Sequence, residues 1–80
     1  MDLESIRVLI RVRMRDGRLP RESAPQAFGQ PGNGQKCSAC DEILTTDRLM
    51  MEVPANNGKI FSFHGDCYVL WLDELRAPRS

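Results

Sequence analysis

Residues able to bind metal or build a large core are scarce in this chain: one histidine, three cysteines, and five aromatics among 80 residues. So few aromatics leave little core to build, and a chain this short makes one small domain at most. An odd number of cysteines cannot pair completely within one chain, which argues against a disulfide framework. No apolar run approaches the length of a membrane span, and the start, MDLESIR, has no basic leader ahead of an apolar stretch. The expectation is a soluble, cytoplasmic protein, in a reducing compartment where unpaired Cys-x-x-Cys thiols bind metal or do redox work more often than they crosslink. Internal repeats and long low-complexity tracts are also missing.

Net charge is zero, but the balance is uneven along the chain. Residues 1–21 carry six arginines against three acids, residues 22–35 carry only Glu22, and residues 36–80 carry five bases against seven acids. Basic charge therefore sits at the front.

The scarce residues are placed in two pairs, Cys37-x-x-Cys40 and, after twenty-three further residues, His64-x-x-Cys67. No Cys or His lies outside them. Two donors three residues apart can hold a metal from one tight turn while a distant pair closes the other side, and three sulfurs with one imidazole suit tetrahedral Zn²⁺. The expectation is one structural zinc ion on Cys37, Cys40, His64 and Cys67. Such an ion contributes about 10–16 kcal/mol of apparent binding free energy, comparable with the whole stability of a small domain, so it would be a condition of folding. Three thiolates and a neutral imidazole leave the site with about one net negative charge.

Four segments follow from the pattern: a helix over 1–16, a linker over 17–35, a zinc module over 36–77 and a tail over 78–80. From Leu3 to Arg15 two periods compete. As a helix, Leu3, Ile6, Leu9, Ile10 and Met14 share a face and Arg7, Arg11 and Arg15 stack on another, with Asp2 and Gly17 as caps. As a strand, Ile6, Val8, Ile10, Val12 and Met14 alternate with the intervening residues. Length and caps favour the helix. Residues 17–35, with Pro20, Pro25, Pro31, Gly29, Gly32 and Gly34, offer no pattern a core could use, apart from Phe28 as an anchor onto a neighbouring apolar face. After the Cys37–Cys40 knuckle, whose amides can donate to the sulfurs, 48–53 and 59–63 read as two strands joined around Asn57-Gly58. Leu49, Met51 and Val53 would share one face, and Phe61 and Phe63 another. Between Asp66 and Arg76, Tyr68, Trp71, Leu72 and Leu75 recur at helical spacing; Asp66 can cap this helix, Cys67 lies in its first turn, and Pro78 stops it. The fold class is a small α+β zinc-binding domain.

With Phe63 and Tyr68 flanking the His-x-x-Cys, residues 36–70 resemble the first zinc module of a LIM domain, a treble-clef-like finger. A LIM domain would place the first ligand of its second module at Leu70, so the resemblance is to a single module. The layout is also similar to small bacterial single-finger proteins with a short Arg-rich front segment, which brings no activity with it. The resemblance implies a zinc-dependent scaffold.

Three functions remain. One is a non-enzymatic module presenting a surface to an unknown protein partner, with Val69 and Leu70 either covered by the front segment or exposed as an apolar patch. A second is a nucleic-acid adaptor using Arg7, Arg11, Arg15 and Arg18, with Arg13 and Arg21 beside them. The third is a redox or metal-responsive switch in which oxidation of Cys37 and Cys40 ejects zinc. Catalysis is not expected, because four protein ligands close the coordination sphere and no spare histidine serves as a base; no membrane or small-molecule substrate is expected either.

Overall fold

Asp2 opens the first helix, its carboxylate accepting a 2.8 Å hydrogen bond from the Ser5 amide, and Glu4 places further negative charge at the positive end of the helix. The computed structural model describes residues 2–22, 26–55 and 58–76. Helix α1 spans Leu3–Arg15 and ends where Gly17 adopts φ +84°. The Gly17 amide then donates to Met14 O at 3.3 Å and the Arg18 amide to Arg13 O at 2.8 Å, the paired bonds of a Schellman stop. The competing strand reading of 3–15 fails because caps at both ends satisfy the helix backbone. Ile6, Ile10 and Met14 are buried on its inner face, as the helical period requires. Leu3 is the exception: it shares that face but stays 58% exposed, because it lies in the first turn at the rim of the core.

Residues 17–35 are more structured than a linker. Leu19 is buried, and Pro20 O accepts the indole N–H of Trp71 at 3.0 Å. Phe28–Pro31 forms strand β1, which pairs antiparallel with β2 (Leu49–Pro54), Gly29 opposite Met51 and Pro31 opposite Leu49. The pairing continues irregularly toward the knuckle: the Gly32 amide donates to Arg48 O, Gly34 to Leu44 O, Leu44 to Gln35 O and Cys37 to Glu42 O. The knuckle is thus the tip of a long broken hairpin. Gly32 makes this possible, since a Cβ there would lie 2.1 Å from Thr45 O. Phe28 does not anchor the segment by burial; its side chain is half exposed at the sheet edge.

Strand β3 (Ile60–His64) pairs antiparallel with β2, Met51 opposite Phe63 and Met50 opposite His64, giving a three-stranded sheet in the order β1-β2-β3. Gly58, at φ +85°, belongs to the turn between them; Asn56 and Asn57 lie outside the described residues. Leu49, Met51 and Val53 share one face of β2, as alternation requires, but burial does not follow that face. Met50 and Val53 are the fully buried residues of β2, whereas Leu49 is 60% exposed. Being three apart, Met50 and Val53 point to opposite faces, so each face of the strand is covered at one place.

Helix α2 (Gly65–Arg76) follows β3 without a loop. Cys67, Leu70, Trp71 and Glu74 are buried, while Tyr68, Leu72 and Leu75 are partly so. Asp66 stands within the first turn rather than ahead of it. Trp71 stacks on Phe63 with ring centroids 5.3 Å apart, and α1 packs against α2. Pro78 lies outside the described residues.

Candidate metal centre

Cys37, Cys40, His64 and Cys67 are brought together, their ligand atoms all within 4.8 Å of one another. Each comes from an element with its own reason for being there. Cys37 and Cys40 flank the hairpin tip, His64 is the last residue of β3, and Cys67 lies in the first turn of α2, where the helix dipole favours a thiolate. The direct strand-to-helix junction therefore sets the His-x-x-Cys pair.

His64 Nδ1 lies 3.4 Å from Cys40 Sγ and 3.9 Å from Cys67 Sγ. Metal–sulfur and metal–nitrogen bonds of about 2.3 Å and 2.0 Å in a tetrahedron put such atoms roughly 3.5 Å apart. His64 Nε2 lies 3.2 Å from Ile43 O. A carbonyl only accepts, so this bond assigns the ring hydrogen to Nε2 and leaves the Nδ1 lone pair facing the sulfurs in the neutral ring, the arrangement that outer hydrogen bonds give to metal-bound histidines. The donor set fits one divalent ion of zinc type.

The thiols have unequal surroundings. Cys37 is held down to about 4, first by the Cys67 thiol donating to it, against burial, and then by the amides of His64, Cys40 and Ala39; the Ala39 amide is 3.4 Å from Cys37 Sγ. Burial pushes Cys40 up, and Cys67 is pushed up by its bond to Cys37 and by burial.

Behind the knuckle stands Arg13, which sequence reasoning grouped with the nucleic-acid arginines. Its Nη1 donates to Ser38 O and Ala39 O at 3.0 Å each and to Asp41 Oδ1 at 3.1 Å, while Nη2 donates to Asp41 Oδ2. Its side chain is only 12% exposed, and its charge is favoured first by the Asp41 hydrogen bond and further by the nearby sulfurs of Cys37 and Cys40. The knuckle also docks on β3: the Ser38 amide donates to Ser62 O at 2.7 Å, and the Ser62 amide to Ser38 Oγ at 3.1 Å. The positive charge of α1 beside a Cys-x-x-Cys turn was the available sequence signal, but spacing alone does not say which arginine reaches it.

Of the four arginines singled out for nucleic acid, Arg7 and Arg11 converge on the buried carboxylate of Glu74, at 3.2 Å and 2.8 Å. Arg18 pairs with Asp16 at 2.8 Å. Arg15 makes no side-chain hydrogen bond or ion pair among the described residues. Arg21 instead ties down the end of α1, donating to Met14 O and Arg15 O. Of the suggested apolar patch, Val69 is exposed, whereas Leu70 is buried at 6% within the core that includes Ile6 and Ile10. No described helix is long and apolar enough to cross a membrane.

Protein-family models, curated proteins and solved structures yield no match to this chain.

Proposed function

We propose that this protein is a small non-enzymatic module in which one structural Zn²⁺ fixes a scaffold that presents a surface to another protein. The four convergent donors, with His64 locked through Ile43 O, carry this reading. Four protein ligands would complete a tetrahedron and leave no position for a catalytic water. The order of knuckle, hairpin and ligand-bearing helix supports a LIM-like, treble-clef-like finger standing alone, here with β1 added to the hairpin. Exposed Val8 and Val12 on α1 and Val69 on α2 support a protein partner over a nucleic acid, because Arg7 and Arg11 already serve Glu74.

Native mass spectrometry tests the metal, with one zinc per chain expected. A chelator should abolish the folded NMR spectrum, and a protein that keeps it without metal would overturn the structural role. For the partner, capture by metal-loaded wild-type protein is compared with capture by Val8→Asp and Val69→Asp. Equal capture by all three would remove these helices as the docking surface.

A further inference from the structure

The metal centre has a sealed side and an open side. On the sealed side, Cys37 is 1% exposed and its knuckle is backed by Arg13. On the open side lies a cleft of about 390 Å³ whose wall includes Cys40, His64 and Cys67 but not Cys37. Its lining includes side chains that stay exposed, among them Leu3 from α1 at 58%, Ile43 at 49% and Thr45, the last two from the loop before β2.

We infer that this cleft is a metal-exchange port, through which a small thiol reaches the centre and takes the ion from the folded protein, Cys40 yielding first and Cys37 last. This rests on the reading of the four residues as a zinc site and adds a second property, exchangeability, to its structural role. Cys40 is the most exposed of the three cysteines, at 6% against 1% and 2% for Cys37 and Cys67. Cys37 accepts from the Ala39 amide at 3.4 Å, is 1% exposed, and has no face on the cleft. The exchange needs no oxidant. An incoming thiol loses its proton and bonds to the divalent ion as the Cys40 bond to that ion breaks, and the released Cys40 thiolate takes up a proton from solvent. Repetition at His64, Cys67 and finally Cys37 transfers the ion with no change in oxidation state.

The structure offers two independent plugs. Thr45→Trp and Leu3→Trp each enlarge an exposed side chain that lines the cleft, and neither residue holds a ligand of the centre. The zinc-loaded 80-residue chain is mixed with increasing reduced glutathione, and a fixed amount of 4-(2-pyridylazo)resorcinol reports the released ion by absorbance. Zinc affinity is measured separately by equilibrium competition. The wild-type release rate should rise linearly with glutathione, and at least one plug should lower that slope by about tenfold while leaving equilibrium affinity within about twofold, because access controls rate without altering the bound state. A release rate independent of glutathione would mean that the ion leaves by spontaneous opening, and would overturn the port. So would an unchanged slope in both folded plugs, or a fall in slope matched by an equal change in affinity. Failure to load zinc at all would instead overturn the metal reading beneath it.

Discussion

Arg13 on the first helix holds both carboxylate oxygens of Asp41, the one described non-glycine residue with positive φ, at +67°. This pair spans 28 residues of sequence and clamps the residue that follows the second cysteine. A left-handed conformation is unfavourable for a residue with a Cβ, and Asp tolerates it better than most. The guanidinium fixes that turn and offsets the negative charge of the thiolate cluster.

Removing this clamp should weaken the metal site without removing a ligand. Arg13→Gln is expected to lower zinc affinity by about 10–100-fold, the usual effect of losing an outer-shell partner. Arg13→Lys, which keeps the charge but loses the planar fork, should fall between the two. Competition against a chromophoric chelator measures both, and wild-type affinity in Arg13→Gln would disprove the role.

Gly32 offers a test of the broken hairpin. A methyl group there would meet the backbone carbonyls of Thr45 at 2.1 Å and Leu44 at 2.5 Å, neither of which can rotate aside. Gly32→Ala should cost roughly 3 kcal/mol or more, the range of overpacked sites. Gly29→Ala, whose added carbon would meet only the side chains of Leu49 and Met51 at ordinary contact distances, should be far milder. Denaturant melts of the two variants would separate these outcomes.

Glu74 links stability to pH. Its carboxyl is held below the usual glutamate range, first by the Arg11 hydrogen bond and then, against burial, by Arg7. A depressed folded-state value stabilises the protein above the unfolded-state pKa, and the contribution disappears as pH falls through the folded value. Below about pH 4.5, therefore, the difference in stability between wild type and Glu74→Gln should shrink. At neutral pH the substitution should cost about 1 kcal/mol, less than a fully buried pair because Arg11 is half exposed. A difference that stays constant down to the acid limit would show that Glu74 acts through packing alone.

Trp71 is a built-in reporter of the same core. Its indole donates to Pro20 O and its ring stacks on Phe63, the residue before His64. Trp71→Phe should cost about 1 kcal/mol from the lost hydrogen bond, with some further loss of packing. In the wild type, chelation of zinc should shift tryptophan emission to the red, in step with the loss of helical circular dichroism. Emission that stays constant while helix is lost would mean that Trp71 is not coupled to the metal-held fold.

What the sequence made legible was what depends on residue type and short spacing. The paired ligands are such a case, and so are Asp2 and Gly17 as helix boundaries and the 3.6-residue period around Trp71. What remained hidden depends on distant partners. Strand β1, with Gly29 and Pro31, has a linker's composition, and it is a strand only because β2 supplies its hydrogen bonds. Leu19 gave no periodic signal and was buried by the geometry of the turn after α1. The arginines of α1 looked like a solvated basic face; Glu74, sixty-three residues beyond Arg11, and the carbonyls of the knuckle gave them other partners.

All four convergent Cys and His residues lie after residue 36, yet the turn that presents two of them is held by a side chain at position 13 and continues a strand pairing that begins at Phe28. A fragment cut at Lys36 would keep every donor atom and lose Arg13, the partner strand of the hairpin, and the helix packed over Leu70. For anyone wishing to transplant this Cys and His cluster into another protein, the smallest portable unit is not the stretch bounded by its four residues but nearly the whole chain.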